Sequence, residues 1–305
     1  MQNKTLSIVI PTIGRSVLDL TIESVLKQST APWELVVWDN SGTQAAQKNS
    51  KYASHPQVKW YTSSERLPIT LSWNRAVSLT SGEYVYLLGD DDLLLPDFVQ
   101  NVSEELNNGA ELVHVKCRMI NEQGGDAVYP VPFSLPGGVY DAERFMAGVI
   151  RNEVLIFLSA LVFPRSGFDK SGGFRDIVMN GLAMDVLFNI ELVAGYGSIT
   201  VIDNPVWLYR SMVSDWCGAV KSASDVWRLG SCYRKYRDYV KKIFDYSFPA
   251  LWRAFHRKMV IQQMVVLVYG TSAFRTFMLS LQRNWSLSER YYILRDCFYL
   301  FRRRR

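Results

Sequence analysis

The chain has 305 residues, 48% hydrophobic and 21% charged, which argues against a disordered or fibrous protein and supplies apolar surface for one large domain, or one domain with an appendage. Its 34 basic and 29 acidic residues are unevenly spread: 18 and 5 fall in residues 221–305, leaving 16 and 24 in the first 220. Four scattered cysteines and three scattered histidines argue against a disulfide framework and against a zinc site.

Along the chain, SIVIP (7–11) reads as a short buried strand. SVLDLTIESVLKQS (16–29) reads as a helix with Leu18, Ile22, Val25 and Leu26 on one face and an S-x-x-D start signal at Ser16 and Asp19. ELVVWDN (34–40) is a second strand, TLSWNRAVSLT (70–80) a helix, and EYVYLLG (83–89) a third strand. Pro96 is well placed to open the helix PDFVQNVSEELNNG, and ELVHVKC (111–117) reads as a fourth strand. Residues 119–140 are rich in Gly and Pro and read as loops or hairpins; DAERFMAGVIRN is a short helix and VLIFLSALVFP (154–164) a strand. After Gly172 and Gly173, GLAMDVLFNIELVAGYG (181–197) is helical, and SITVID and PVWLYR close the pattern near Arg210. Beyond Ser222 three helical segments follow, 227–244, 251–269 and 286–303. The strand–helix alternation predicts an α/β domain with a mostly parallel sheet over residues 1–220, and a basic, aromatic-rich helical region over 221–305.

Apolar stretches such as Val154–Phe163 and Met264–Gly270 are too short to span a bilayer, and the N-terminus has no signal-peptide core, so a cytoplasmic protein is expected.

In an open α/β sheet, ligands bind at the carboxyl ends of the strands. Here those ends carry Pro11 and Thr12, then Asp39 and Asn40, then Asp90, Asp91 and Asp92. In an extended segment Asp90 and Asp92 would share a side. Two hard oxygen ligands at that spacing suit Mg2+ or Mn2+, which would relieve the repulsion among like charges and act as a Lewis acid for a departing diphosphate. The simpler reading is an acidic turn before the next helix. Its alignment with two other polar strand ends favours the ligand site.

IVIPTIGR, TIESVLKQS, VVWDNSG, WNRAVSLTSGEYVYLLGDDD, LLLPD, SGGFRD, GLAMDVLFNIELVAGYG and WLYR together resemble the family 2 glycosyltransferases with the GT-A fold, a Rossmann-like, mostly parallel mixed sheet flanked by helices. The resemblance covers about the first 210 residues. It implies an inverting, metal-dependent transfer from a nucleoside-diphosphate sugar to a hydroxyl of a saccharide acceptor. It further implies that Pro11 and Thr12 lie against the nucleotide base, that Asp39 hydrogen-bonds it, and that Arg15 and Asn74 lie near the nucleotide. A solvated helix start serves Arg15 nearly as well; an Asx turn is the simpler role for Asp39, and the convergence of the strand ends favours the nucleotide contact over it. Asp91 and Asp92 fall on the last two acids of the family's D-x-D-D pattern, which makes Asp92 the first choice as metal ligand, with Asp90 beside it and Asp90 and Asp91 towards the donor. Gly89 stands where the family has an acid.

The resemblance also places the general base at a helix start after a glycine-pair loop, often as Glu-Asp. Here that pair is Met184-Asp185, so Asp185 is the candidate base and Asp176 the runner-up. Tyr209-Arg210 match a family Y-R pair, but the histidine that usually follows is absent.

The C-terminal region mixes rings and bases, as in RYYILRDCFYLFRRRR. An anionic membrane surface and an ordinary packed appendage account for it equally well, and nucleic acid less well, because no binding module for it is present. A membrane-surface tail would suit a polyprenyl-diphosphate-linked acceptor in surface polysaccharide synthesis, such as O-antigen, at the cytoplasmic face of the inner membrane. Two other functions stay in view. One is a catalytically degenerate scaffold that binds sugar nucleotide or lipid. The other, a sugar nucleotidyltransferase, is disfavoured because PTIGR lacks a Gly-rich basic phosphate loop.

Overall fold

The structure, a computed structural model, describes residues 4–127, 134–177, 184–210 and 223–256. The apolar run after Thr5 becomes β1 (Leu6–Thr12), all seven of whose residues are buried. A strand in the middle of a parallel sheet is covered on both faces, so its sequence is continuously apolar rather than alternating. β1 lies between β2 (Glu34–Asp39) and β4 (Tyr84–Leu87), parallel to both, and β3 (Val58–Thr62) runs parallel beyond β2. β9 (Leu161–Pro164) pairs antiparallel with both β4 and β6 (Val113–His114). With β10 (Ser198–Val201) and β8 (Gly138–Asp141) these strands form one mixed sheet in the order β3-β2-β1-β4-β9-β6-β10-β8. A second, three-stranded sheet has the order β5-β11-β7, from Leu93–Leu94, Trp207–Arg210 and Cys117–Ile120. The expected α/β fold with a mixed sheet and flanking helices is formed.

α1 (Leu18–Leu26) carries the chain from β1 to β2 and buries Leu18, Ile22 and Val25. α3 (Ile69–Ser78) and α4 (Phe98–Asn107) flank β4 in sequence, and Phe98 packs its ring 4.5 Å from that of Tyr86. Each fully buried large side chain of this kind contributes about 1.5–3 kcal/mol relative to exposure. α2 (Ala45–Asn49) follows β2, α5 (Ala142–Ile150) is capped by Asp141 accepting from the Arg144 amide, α6 (Arg165–Ser171) follows β9, and α7 is Met184–Tyr196.

The structure departs from the sequence reading in three places. Residues 111–117 divide between β6 and β7, which belong to different sheets; between them the Val115 amide donates to Ala160 and the Lys116 carbonyl accepts from Val206. The apolar run 154–164 is a strand only over its last four residues. Leu158–Ala160 form a 3-10 turn, because an apolar run does not by itself distinguish a strand from a buried turn. The start signal of α1 does not form: Val17 holds the N-cap without a side-chain bond, and Asp19 accepts instead from the Ser50 hydroxyl and the Lys51 amide. In addition α2, β3 and α6 are too short to register in the sequence pattern.

The described residues fall into two compact units, the first within 1–175 and 183–211, the second within 176–182 and 212–305. The second contains α8 (Ala223–Ser247), where the Phe244 ring stands edge-on to Phe248 at 5.4 Å and stacks on Phe255 at 4.4 Å. Residues 257–305, which hold the final basic cluster and the expected helix at 286–303, lie outside the described residues. Among the described residues no helix is long and apolar enough to cross a membrane.

Candidate functional site

Register brings the strand ends together: Thr12 is paired with Asp39, and Asp39 with Thr62. Beyond β4 the chain turns tightly, the Asp92 amide donating to the Gly89 carbonyl at 3.2 Å. This turn overturns the expectation that Asp90 and Asp92 share one side, because the segment is not extended. Asp90 and Asp91 instead both reach Arg15, whose Nε lies 3.1 Å from Asp90 Oδ1 and whose Nη1 lies 3.8 Å from Asp91 Oδ2. The Thr12 hydroxyl donates to Asp90 Oδ2 at 2.6 Å, tying the end of β1 to the acidic turn. Gly14, at φ +89°, sits in the left-handed region that the loop needs between Thr12 and Arg15.

The three acids have different surroundings. Burial raises the Asp90 carboxyl to about 6, against the opposing pull of Thr12 and Arg15. Burial, and then the Asp91 charge, push Asp92 well above the usual carboxylate range. Asp92 faces inward: its Oδ1 accepts the Arg210 amide at 2.9 Å and its Oδ2 accepts the Ser159 hydroxyl at 3.4 Å. Asp91 is the least enclosed of the three. The first-choice metal ligand of the sequence reading, Asp92, is thus a buried support, and the outward carboxylate is Asp91. Gly89 is also explained: a Cβ there would lie 3.0 Å from Asp92 Oδ2 and 3.2 Å from Asp91 Oδ1, so a fourth acid would crowd two carboxylates.

Asp185 opens α7. Burial raises its pKa, opposed by the amides of Val186, Asp185 and Leu158 that its carboxylate accepts. Leu158 is the neighbour of Ser159, so one 3-10 turn supports both Asp185 and Asp92. Tyr209 lies among these groups. Burial raises its phenol first, followed by the charges of Asp92, Asp91 and Asp185. Met184, where the resemblance expects an acid, is buried and its sulfur accepts the Thr70 hydroxyl at 3.2 Å.

Other expected residues serve the framework. Asp39 is fully buried; its Oδ1 accepts the Ser41 amide at 2.8 Å and its Oδ2 the Gln47 amide at 3.0 Å. It forms the simpler Asx turn and shapes the loop. Asn74 holds both polar groups of Phe174, donating to its carbonyl at 2.9 Å and accepting its amide at 2.8 Å. The side-chain oxygen of Asn74 comes so close to Gly173 that a Cβ there would lie 2.6 Å away, which explains the glycine before Phe174. Asn74 therefore anchors the glycine-pair loop rather than facing the acidic turn. Pro11 is buried within β1, and Asp176 falls in the second unit. Sequence reasoning missed Ser159, hidden in an apolar run, and the inward role of Arg210.

A mixed sheet that delivers a threonine and carboxylates to the carboxyl ends of neighbouring strands belongs to the α/β class whose ligands bind at that edge. Residues 7–154, just under half of the chain, match the family described as glycosyl transferase family 2, and the fold is of the GT-A type. Chondroitin synthase of Escherichia coli is 25% identical over 185 residues, 59% of this chain and 25% of that protein. The Escherichia coli UDP-Glc:alpha-D-GlcNAc-diphosphoundecaprenol beta-1,3-glucosyltransferase WfgD is 25% identical over 123 residues, 40% of this chain and 49% of that one. The chain thus spans between a quarter and a half of these relatives. TarS (residues 1–349) of S. aureus, solved with UDP-GlcNAc, superposes with a TM-score of 0.58 at 13% identity, over 85% of this chain and 79% of that one.

Among the described residues no three His, Cys, Asp or Glu side chains are grouped to enclose a metal ion. Magnesium needs less: one or two carboxylates, with water and substrate phosphate filling the remaining positions. The oxygens of Asp91 and Asp90, on one turn and both turned to the cation Arg15, fit such a divalent ion.

Proposed function

We propose that the chain transfers a sugar, with inversion, from a nucleoside-diphosphate sugar to a hydroxyl of a saccharide acceptor in the assembly of a bacterial surface polysaccharide. The observation that carries this reading is the shared support of Asp185 and the acidic turn by Leu158 and Ser159. An inverting transfer needs one carboxylate at the acceptor and a separate cationic or metal-bearing group at the leaving diphosphate. The known complex of TarS with UDP-GlcNAc supports a nucleotide-sugar donor, and the name of WfgD supports a diphosphate-lipid-linked acceptor.

Asp185 takes the proton of the acceptor hydroxyl as its oxygen bonds to the anomeric carbon and the bond from that carbon to the diphosphate breaks on the opposite face. A carboxyl pKa raised by burial brings the base closer to working pH. Asp91 and Asp90 would hold Mg2+ or Mn2+, which supplies Lewis-acid stabilisation of the departing diphosphate. Arg15, beside both acids, is placed to meet phosphate oxygens. Incubation with a panel of UDP-, dTDP- and GDP-sugars and lipid-diphosphate saccharides should release nucleoside diphosphate and give a product of inverted anomeric configuration by NMR. Intact donor with every acceptor would favour the scaffold, to which Gly89 and Met184 point.

The pH dependence follows from Asp90. Its carboxyl rises from 3.8 to about 6 on folding, so protonation stabilises the empty fold as pH falls from 6 to 4. Cation-nucleotide binding requires the ionised form and moves in the opposite direction. Calorimetric affinity for the Mn2+-nucleotide is expected to fall about tenfold per pH unit below 6; an affinity flat from pH 7 to 5 would remove Asp90 from the site.

The basic C-terminal region is proposed to rest on anionic membrane. Removal of residues 284–305 is expected to abolish co-sedimentation with phosphatidylglycerol vesicles, and full retention would assign the contact elsewhere.

A further inference from the structure

Arg210 ends β11, and only 4% of its surface is exposed. Its resemblance to a family Y-R pair near the donor invites the idea of a phosphate contact, but its bonds run inward. The backbone amide donates to Asp92 Oδ1 at 2.9 Å and Nε to the Asp91 carbonyl at 2.8 Å. Nη1 donates to the carbonyls of Asn121 and Glu122 at 3.2 and 2.9 Å. Those carbonyls belong to the turn after β7, which the Asn121 side chain closes by accepting the amides of Gln123 and Gly125. One guanidinium therefore clamps the peptide carrying the outward acid Asp91 to a second turn, while its own backbone fixes the inward acid Asp92.

We propose that Arg210 is a positioning residue that sets where the Asp91 carboxylate meets the cation-diphosphate, without touching the donor itself. Three backbone carbonyls from two chain segments surround the guanidinium, and a buried fork of fixed geometry is suited to holding such segments in register. A lysine keeps the charge but has no planar fork, so it cannot reach the Asp91 carbonyl and the Asn121 and Glu122 carbonyls in the same arrangement. Small misplacements of a reacting group are costly, and this is the route by which a buried residue can control affinity.

This inference rests on the donor-site reading above, and the test separates the two. Wild type, R210K and R210Q are titrated by calorimetry with Mn2+ and the member of UDP, dTDP and GDP that binds wild type best, and their unfolding midpoints are recorded. A positioning role predicts a nucleotide Kd weakened roughly tenfold or more in R210K, with binding stoichiometry unchanged. A role confined to folding would lower the stoichiometry or the midpoint and leave Kd as in wild type, which would overturn the proposal. Because Arg210 acts through Asp91, R210K is further expected to add less than about twofold to the loss already present in D91A. Full additivity of the two losses would overturn the proposal as well, and D91A with R210K supplies this test even if R210Q does not fold. Failure of wild type to bind any of the three nucleotides would overturn the donor-site reading itself.

Discussion

Asp185→Asn is expected to leave nucleotide binding unchanged and to lower turnover by about 10²–10⁴-fold, the usual contribution of a positioned general base. The amide keeps the size of the carboxyl, and its one oxygen can still accept from part of the set of Val186, Asp185 and Leu158 amides that hold the carboxylate. What it cannot do is take a proton from the acceptor. Binding is measured by calorimetry with nucleoside diphosphate and turnover by its release from the donor sugar. A variant that binds and turns over like wild type would move the base elsewhere, with Asp176 next in line. A variant that loses binding as well would mean that Asp185 shapes the donor pocket rather than the acceptor side.

The acidic turn makes a second, sharper prediction, because its members are not equivalent. Asp91→Ala is expected to weaken Mn2+-dependent nucleotide binding about a hundredfold or more, since it removes the outward carboxylate from a site that has one or two. Asp92→Asn is expected to change the same affinity by less than about fivefold. Burial already favours the protonated form of Asp92, and an asparagine can still accept the Arg210 amide and meet the Ser159 hydroxyl. The sequence pattern alone would rank these two the other way. The reverse result, with Asp92 essential and Asp91 dispensable, would restore that ranking and contradict the geometry.

Much of this site was legible in the sequence because strand ends are easy to locate. A continuous apolar run followed by a small or polar residue marks where a buried strand emerges, and β1, β2 and β4 all announced themselves in that way. Side-chain direction was harder to read. The triplet 90–92 has the composition of an exposed acidic turn, and only the hydrogen bond from the Asp92 amide to the Gly89 carbonyl shows that the chain doubles back, burying Asp92 and Asp90. Asp39 and Asn74 were found as polar residues at the right ends of the right elements, but Asp39 turns to the nearby Ser41 and Gln47 amides, and the partner of Asn74, Phe174, lies a hundred residues away. Ser159 could not be singled out, since one serine inside Val154–Pro164 reads as a break in a strand rather than as the support of two acids. The same limit applies to Arg210, whose partners at Asn121 and Glu122 lie nearly ninety residues away.

The most direct measurement is anomalous diffraction at the manganese edge from crystals grown with MnCl2 and the best-binding nucleoside diphosphate. The account predicts a manganese peak coordinated by Asp91, with the diphosphate beside Arg15 and with Asp92 still bonded to Arg210. Nucleotide bound away from these strand ends, or a manganese ion on carboxylates that do not include Asp91 or Asp90, would contradict it.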